Sequence, residues 1–215
     1  MIKIIGQNNS ILNRFIYEIR CADIQKDSMR FRKNLERISE IFAYEISKEL
    51  QYERAQAQTP LGIAEMYLPA DGVVIASILR AGLPMHNGFL NFFDGAENAF
   101  ISAYRKYSKD GSFKIQFEHL SCPNITDKVL IIVDPMLASG ASMVLAYNAL
   151  MERGEPKYTH IASIIASKEG VEYTMKNLPN KSITLWLGAI DDEMTAQSYI
   201  VPGLGDAGDL SYGGK

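Results

Sequence analysis

The sequence has few cysteines, no long hydrophobic run and no excess of basic residues, and each shortage excludes a class of protein. Cys21 and Cys122 are far apart and form no CxxC pair, so neither a disulfide framework nor a zinc site is expected. The longest apolar runs, Val73 to Leu79 and Val129 to Val133, are far shorter than the roughly 18 residues typical of a membrane span. Lysine and arginine number 22 against 25 aspartates and glutamates, which does not favour a protein that coats nucleic acid.

The remaining composition is that of an ordinary globular protein. Hydrophobic residues make up 47% and charged residues 22% of the 215 positions, and the length corresponds to one domain. The N-terminal segment has no apolar stretch before a cleavage site, so no signal peptide is predicted. We therefore expect a single-domain cytoplasmic protein with no membrane and no nucleic-acid partner.

The first 70 residues are predicted to form a helical hood. Residues 10–21 carry apolar side chains at helical spacing, and residues 29–50 place theirs on one face with most charges on the other. Residues 51–71 show no clear pattern. The apolar faces of the two helices favour a homo-oligomer, a dimer or larger, without fixing its size.

From residue 72 onward, apolar runs alternate with helical patterns. The runs lie at 73–79, 99–105, 129–133, 159–166 and 182–189, and the helical patterns at 82–93, 141–153 and 168–177. This alternation predicts βαβ units and an α/β core with a mostly parallel five-stranded sheet. The core spans residues 71–190, and a tail covers residues 191–215. Residues 106–127 are polar and without periodicity, which is typical of a functional flap.

The stretch after the run 129–133 carries the most chemical information. A buried strand ends at Asp134, and Pro135 to Ser142 form a loop of small and hydroxylated residues that opens a helix. Such a loop directs backbone N–H groups and the helix dipole at one point, which suits a phosphate. No Gly-Lys-Ser/Thr follows, so it is not a Walker loop. A carboxylate beside the phosphate fits a ligand that also has sugar hydroxyls, and an ordinary capped turn is the alternative reading.

Two further stretches carry candidate ligand contacts. Arg80-Ala81-Gly82 ends the run 73–79, where a guanidinium and bare backbone N–H groups can meet a polyanion. A surface arginine before a helix is the alternative there. The segment Tyr199 to Asp209 has glycines that let backbone approach a ligand closely, and apolar anchors that a floppy terminus would not need.

Together these three stretches resemble the uracil phosphoribosyltransferase family. The family signatures VDPMLATGGS, ILRAGL and YIIPGLGDAGD are similar to Val133–Ser142, Ile78–Leu83 and Tyr199–Asp209, in the same order and at the same spacing. The resemblance implies a Rossmann-like sheet of the type I phosphoribosyltransferase kind with a hood and a long flap. It also implies a pyrimidine salvage enzyme that transfers ribose 5-phosphate from 5-phosphoribosyl 1-pyrophosphate (PRPP) to N1 of uracil, giving UMP and pyrophosphate.

The resemblance further implies roles for individual residues. The catalytic residues would be Asp134, Arg105 and Asp206. The residues that would bind PRPP are Arg80, Ala81, Gly82, Arg105, Asp134, Pro135, Met136, Leu137, Ala138, Ser139, Gly140, Ala141, Ser142 and Asp206. The residues that would bind uracil, mainly through backbone groups, are Ile200, Gly205, Asp206 and Ala207. The implied cofactor is Mg²⁺, carried by PRPP near Asp206 rather than ligated directly by side chains, and a nucleotide effector such as GTP is left open.

The chain departs from the family pattern at several places. Ser139 and Ala141 replace Thr and Gly, Ser77 stands where the family usually has Pro, and Lys106 to Asp110 lack the acidic pair of the family's Asn-Glu-Glu-Thr. If position 141 needs a positive φ, the alanine would strain the loop. The alternative hypothesis is therefore a low-activity or inactive relative that binds PRPP or UMP as a sensor or partner-binding module.

Overall fold

A computed structural model describes residues 1–107, 113–179 and 182–214, with backbone alone for residues 103–107 and 113–118. The strands are β1 (Ile2–Ile4), β2 (Tyr52–Thr59), β3 (Gly62–Pro69), β4 (Val73–Leu79), β5 (Glu97–Tyr107), β6 (Phe113–Ser121), β7 (Val129–Val133), β8 (Met136–Leu137), β9 (Tyr158–Ser167), β10 (Ile183–Asp191), β11 (Glu193–Met194) and β12 (Ile200–Val201). The helices are α1 (Ile11–Arg20), α2 (Ser28–Ser47), α3 (Leu83–Leu90), α4 (Ala141–Met151), α5 (Lys168–Asn177) and α6 (Ala207–Tyr212).

One mostly parallel sheet organises the molecule. Its strand order is β1-β10-β9-β7-β4-β5-β6, with β8 also paired to β9. The five predicted strands, β10, β9, β7, β4 and β5, lie side by side in this order and are mutually parallel. All five residues of β7 are buried, as expected when a parallel strand is covered on both faces. The predicted fold class is confirmed, and β1 and β6 extend the sheet at its two edges.

Helices cover both faces of this sheet. Leu12, Ile19 and Phe42 of α1 and α2 pack with Ile75 and Ile131 on one face. On the other face, apolar side chains of α4 and α5 pack against alternate residues of the same strands. None of the helices within the described residues combines the length and the hydropathy that a membrane span requires.

The hairpin of β2 and β3 and the strand β6 were not predicted from the sequence. Strands β2 and β3 form an antiparallel hairpin whose residues are mostly exposed, so no buried face imposes a hydrophobic period on them. Strand β6 lies within the predicted flap and is antiparallel to β5. Pairing with an existing edge strand supplies its hydrogen bonds, so it needs no alternation of its own. The flap is thus in part a β-hairpin, and residues 108–112 lie outside the described residues.

Candidate active site

The three predicted stretches meet around one cavity of about 510 Å³. Strands β4 and β7 are parallel neighbours, with Ser77 opposite Val133, so their carboxyl ends open at the same edge of the sheet. The predicted site residues that line the cavity are Arg80, Ala81, Asp134, Met136, Leu137, Ala138, Ser139, Gly140, Ser142, Ile200, Gly205, Asp206 and Ala207. Gly82, Pro135 and Ala141 are not among the residues that line it. The lining also includes residues that were not assigned to the site: Ile78, Leu79, Met143, Ser198, Tyr199, Gly208 and Asp209.

The loop after β7 leads directly into α4. Gly140 precedes this helix with φ of 77°, in the left-handed region, while Ala141 is already the first helical residue. The positive φ therefore falls on the glycine, and the strain considered for Ala141 does not arise. The first N–H groups of a helix have no partner within the helix and carry partial positive charge. The first turn of α4, where Ser142 lines the cavity, thus offers donors suited to an anion.

Two buried serines of β9 fix the position of this loop. Ser163 Oγ donates to the carbonyl of Asp134 at 2.7 Å, and Ser167 Oγ donates to the carbonyl of Ala138 at 2.6 Å. At Gly170 of α5, a Cβ atom would lie 2.0 Å from the same Ala138 carbonyl, so only glycine allows this close approach. Sequence reasoning missed both serines. Their signal is two hydroxyls four residues apart in an apolar strand, which places them on one face.

Asp134 has an unusual electrostatic environment. Burial raises the pKa of its carboxyl to about 7, and the negative charge of Asp206 acts in the same direction. A hydrogen bond from the Met136 N–H to Asp134 Oδ1, at 3.3 Å, offsets part of this rise. Hydroxyl donors or a cation in the cavity would favour the ionised form of this carboxyl.

The turn after β4 brings Arg80 to the cavity. Its Nη2 atom donates to Asp209 Oδ1 and to the carbonyl of Gly213, both at 3.2 Å. Behind it, a Cβ atom on Gly82 would lie 2.6 Å from the Ile78 carbonyl and 2.8 Å from that of Val133. Gly82 therefore permits the tight packing of the turn between two strands.

The tail is ordered and folds over the cavity. Strand β12 pairs with β11, and the buried Ile200 and Ala207 anchor the segment between them. Gly205 has a φ of 94°, which favours glycine. Asp206 then caps α6, since its Oδ1 accepts hydrogen bonds from the N–H groups of Gly208 and Asp209. A floppy terminus, the alternative for this segment, does not have these contacts.

The structure does not place the side chain of Arg105, and it shows no metal-binding cluster among the described residues. Arg105 lies on β5, opposite Ile115 of β6, and its side chain is outside the described part of the chain. Within the part that the structure describes, no group of three or more histidine, cysteine, aspartate or glutamate side chains is arranged to hold a metal ion.

Comparisons with a family model and with known proteins all point to the same family. The family model described as uracil phosphoribosyltransferase matches residues 8–214. A uracil phosphoribosyltransferase of Porphyromonas gingivalis is 56% identical over 211 residues, covering 98% of this chain and 97% of the relative. A uracil phosphoribosyltransferase of Methanothermobacter thermautotrophicus is 35% identical over 208 residues, covering 96% and 93%.

Solved structures agree on the fold. The AQ2163 protein of Aquifex aeolicus superposes with a TM-score of 0.87 at 24% identity, covering 99% of this chain and 98% of that one. A hypoxanthine phosphoribosyltransferase of Staphylococcus aureus gives a TM-score of 0.51 at 12% identity, with 87% and 84% coverage. At these identities the likeness concerns the architecture alone.

Proposed function

The chain belongs to the uracil phosphoribosyltransferase family, and we propose that it is a pyrimidine salvage enzyme that makes UMP and pyrophosphate from uracil and PRPP. In this reaction the bond from the anomeric carbon to the pyrophosphate oxygen breaks, a bond to N1 of uracil forms, and the N1 proton is released. The observation that carries the proposal is the single cavity lined by all three family signatures.

The loop after β7 is the proposed site for the ribose 5-phosphate half of PRPP. Backbone N–H groups of residues 138–142 and the dipole of α4 would bind the 5′-phosphate. Asp134 would accept hydrogen bonds from the ribose hydroxyls, which are donors that stabilise its ionised form. Ser163 and Ser167 of β9 hold this loop in place through their hydrogen bonds to the carbonyls of Asp134 and Ala138.

Arg80 and Arg105 are the proposed contacts of the pyrophosphate. Negative charge grows on this leaving group as its bond to the sugar breaks, so a guanidinium placed there stabilises the transition state more than the ground state. Arg80 is 37% exposed and its present partners are a carboxylate and a carbonyl, so a pyrophosphate can take their place.

The residues present also fit Mg²⁺ carried by PRPP. Asp134 and Asp206 bring two carboxylates to the cavity, where they would attract an ion carried by PRPP without ligating it directly, and the negative charge of Asp206 contributes to the raised pKa of Asp134. These two side chains would orient the ion with its ligand. When bound, Mg²⁺ neutralises charge on the pyrophosphate.

Uracil would be read by the tail. Ile200, Gly205, Asp206 and Ala207 line the cavity, and their backbone C=O and N–H groups can match the planar edge of the base. Cytosine presents an amino group where uracil presents a carbonyl, so a site built from fixed donors and acceptors excludes it.

The sensor hypothesis has lost one of its two grounds. Ala141 is a regular helical residue, because Gly140 takes the positive φ. The altered flap at Lys106 to Asp110 lies partly outside the described residues and is tested below. A homo-oligomer, a cytoplasmic location and regulation by GTP stay predictions.

A base panel tests the proposed function. The chain is incubated with PRPP, Mg²⁺ and uracil, cytosine, thymine or hypoxanthine, and pyrophosphate release and nucleotide formation are both measured. We expect UMP formation with uracil and no more than background release with the other bases. Tight PRPP binding without turnover of any base would instead support the sensor hypothesis.

A further inference from the structure

An ion pair connects the first helix to the end of the last core strand. Arg20, the last residue of α1, donates through Nη1 and Nη2 to the two carboxylate oxygens of Asp191, both at 2.8 Å. Asp191 is the last residue of β10 and is 8% exposed. Its burial raises the pKa of the carboxyl, but the hydrogen bonds of Arg20 and Gly203 outweigh burial and hold that pKa below its usual range. The pair is therefore ionised at neutral pH.

The same pair holds both backbone polar groups of Gly203. The Gly203 N–H donates to Asp191 Oδ2 at 2.9 Å, and Arg20 Nη1 donates to the Gly203 carbonyl at 2.9 Å. Gly203 has a φ of 54°, and a Cβ atom there would lie 2.1 Å from the Ile200 carbonyl. The glycine is thus fixed by hydrogen bonds on both sides and by close packing.

Gly203 lies between the residues that are proposed to read the base. Ile200 precedes it by three positions and Gly205 follows by two, and both line the cavity. Ile200 and Leu204, on either side of this glycine, are both buried, so the segment between the ion pair and the base-facing groups has little room to move on its own. A shift of the glycine would therefore displace those groups together.

We propose that Arg20 and Asp191 are positioning residues for the base half of the active site. They touch neither the uracil nor the sugar in this proposal; they set the backbone that recognises uracil. The inference rests on the proposed function, since it assumes that the tail binds the base. It goes further because a side chain of the N-terminal helix would position the base-reading backbone, 183 residues before the glycine it holds.

The rival explanation is that the pair only stabilises the fold. Buried ion pairs are costly to break wherever they lie, so loss of stability alone cannot distinguish the two. Helix α1 offers a matched control in Glu18, which is 4% exposed and accepts hydrogen bonds from Arg14, Arg30 and Asn34. Its partners belong to α1 and α2, so the control perturbs the same helix through the same kind of interaction.

The experiment compares Asp191→Asn, Arg20→Lys and Glu18→Gln with the wild type in the full-length chain. KM for uracil, KM for PRPP, the turnover number and the melting temperature are measured for each. We expect Asp191→Asn to raise KM for uracil by about tenfold or more, because a hydrogen bond to a charged group is lost. KM for PRPP should rise less than KM for uracil, since most of the proposed PRPP contacts lie on the separate loop 138–142.

Arg20→Lys keeps the positive charge but not the planar guanidinium, so it should raise KM for uracil by less than Asp191→Asn does. It also serves as the second variant if Asp191→Asn does not fold. Glu18→Gln should lower the melting temperature and leave both KM values unchanged.

Hydrogen exchange provides a readout that does not depend on activity. Backbone amides of residues 199–206 should exchange faster in Asp191→Asn and Arg20→Lys than in the wild type, while those of residues 138–142 should not change. Glu18→Gln should leave the tail protected. This comparison works even if the chain shows no turnover.

The outcomes separate the inference from the proposed function. A wild type that transfers no ribose phosphate to uracil would overturn the proposed function. An active wild type whose Asp191→Asn and Arg20→Lys variants match Glu18→Gln in both KM values and in tail exchange would overturn the positioning role alone. Equal rises in the two KM values for Asp191→Asn would also contradict it.

Discussion

Arg80 Nη2 lies 3.2 Å from Asp209 Oδ1, so an ion pair joins the turn after β4 to the tail across the cavity that both residues line. The side chains are 37% and 49% exposed, which leaves the pair screened by solvent and of little value to stability. The arrangement instead holds a guanidinium at the cavity with partners that an anionic ligand can replace.

The first prediction concerns this arginine. Arg80→Lys should raise KM for PRPP about tenfold, because a lysine cannot form the bidentate contacts of a guanidinium with a phosphate. The free energy of unfolding should change by less than about 1 kcal/mol, as for other exposed pairs. Arg54→Lys is the control, since Arg54 forms an exposed pair with Glu65 on the hairpin of β2 and β3. Equal kinetics in the two variants would remove Arg80 from the site.

The second prediction concerns Asp134. Asp134→Asn should weaken PRPP binding far more than uracil binding, because a charge-assisted hydrogen bond is worth about 1.5–3 kcal/mol, or roughly ten- to hundredfold in affinity. Titration calorimetry with each substrate measures both effects. Unchanged PRPP affinity would exclude contact between this carboxylate and the sugar.

The same substitution should affect stability with a defined dependence on pH. The pKa of Asp134 is about 7 in the folded chain, against about 3.9 for an unfolded aspartate. Between these two pH values the carboxyl is protonated in the folded state and ionised in the unfolded state. The wild type therefore loses stability from this group as the pH rises toward 7. We expect the difference in unfolding free energy, Asp134→Asn minus wild type, to increase from pH 4 to pH 8 in urea titrations. A difference independent of pH would show that the pKa is not raised.

The third prediction separates backbone conformation from stability in the tail. Gly205→Val places a β-branched side chain at a φ of 94°, and its matched control Gly62→Val does so at a φ of 155° in the β2–β3 hairpin. In both cases a Cβ atom meets open space, so each should lose a similar amount of stability, about 1–3 kcal/mol. Only Gly205→Val should raise KM for uracil strongly. If both variants keep wild-type KM, close approach of the base to Gly205 is excluded.

The fourth prediction concerns the serines of β9. Ser167→Ala removes the hydrogen bond to the Ala138 carbonyl and the cap on the Gly170 N–H, which should cost about 1–3 kcal/mol and raise KM for PRPP. Ser39→Ala is a matched control, because Ser39 is also fully buried and donates to the Leu35 carbonyl within α2. It should lose stability with no change in KM. A KM effect in both variants would point to general loosening of the fold.

The fifth prediction concerns the flap. Replacing residues 106–109 by Asn-Glu-Glu-Thr should raise the turnover number if the present residues weaken flap closure, since closure excludes water from the reaction. Single-turnover and steady-state rates measured together show whether chemistry or product release changes. A lower turnover number would mean that the lysines of this flap contribute to catalysis in this chain.

The core was predictable because its strands are covered on both faces. Continuous apolar runs gave β4 and β7 with the same bounds as the structure, and β9 and β10 to within a few residues. The β2–β3 hairpin was not predictable on the same ground, because its exposed strands have no buried face to set a pattern. Strand β1 has only three residues, too few for any periodicity.

The cavity was predictable where its chemistry is local in the sequence. Asp134 and its loop, Arg80 and the glycines of the tail each belong to a contiguous stretch at the end of a strand. Contacts between distant residues were not predictable from spacing, as with Ser163 and Asp134, 29 positions apart, or Arg20 and Asp191, 171 apart. The location of the positive φ at Gly140 rather than at position 141 also depends on where α4 begins, which a sequence pattern defines only to within a residue or two.

The ion pair between Arg20 and Asp191 also has a consequence for biosynthesis. Helix α1 is synthesised early, but Arg20 at its end can pair with Asp191 only after nearly the whole polypeptide has been translated. The strands that carry the phosphate loop can assemble before that moment, because β4, β7 and β9 are complete earlier in the chain. A polypeptide that stops before the tail would therefore contain the loop proposed to bind the sugar phosphate and lack the backbone proposed to select the nucleobase.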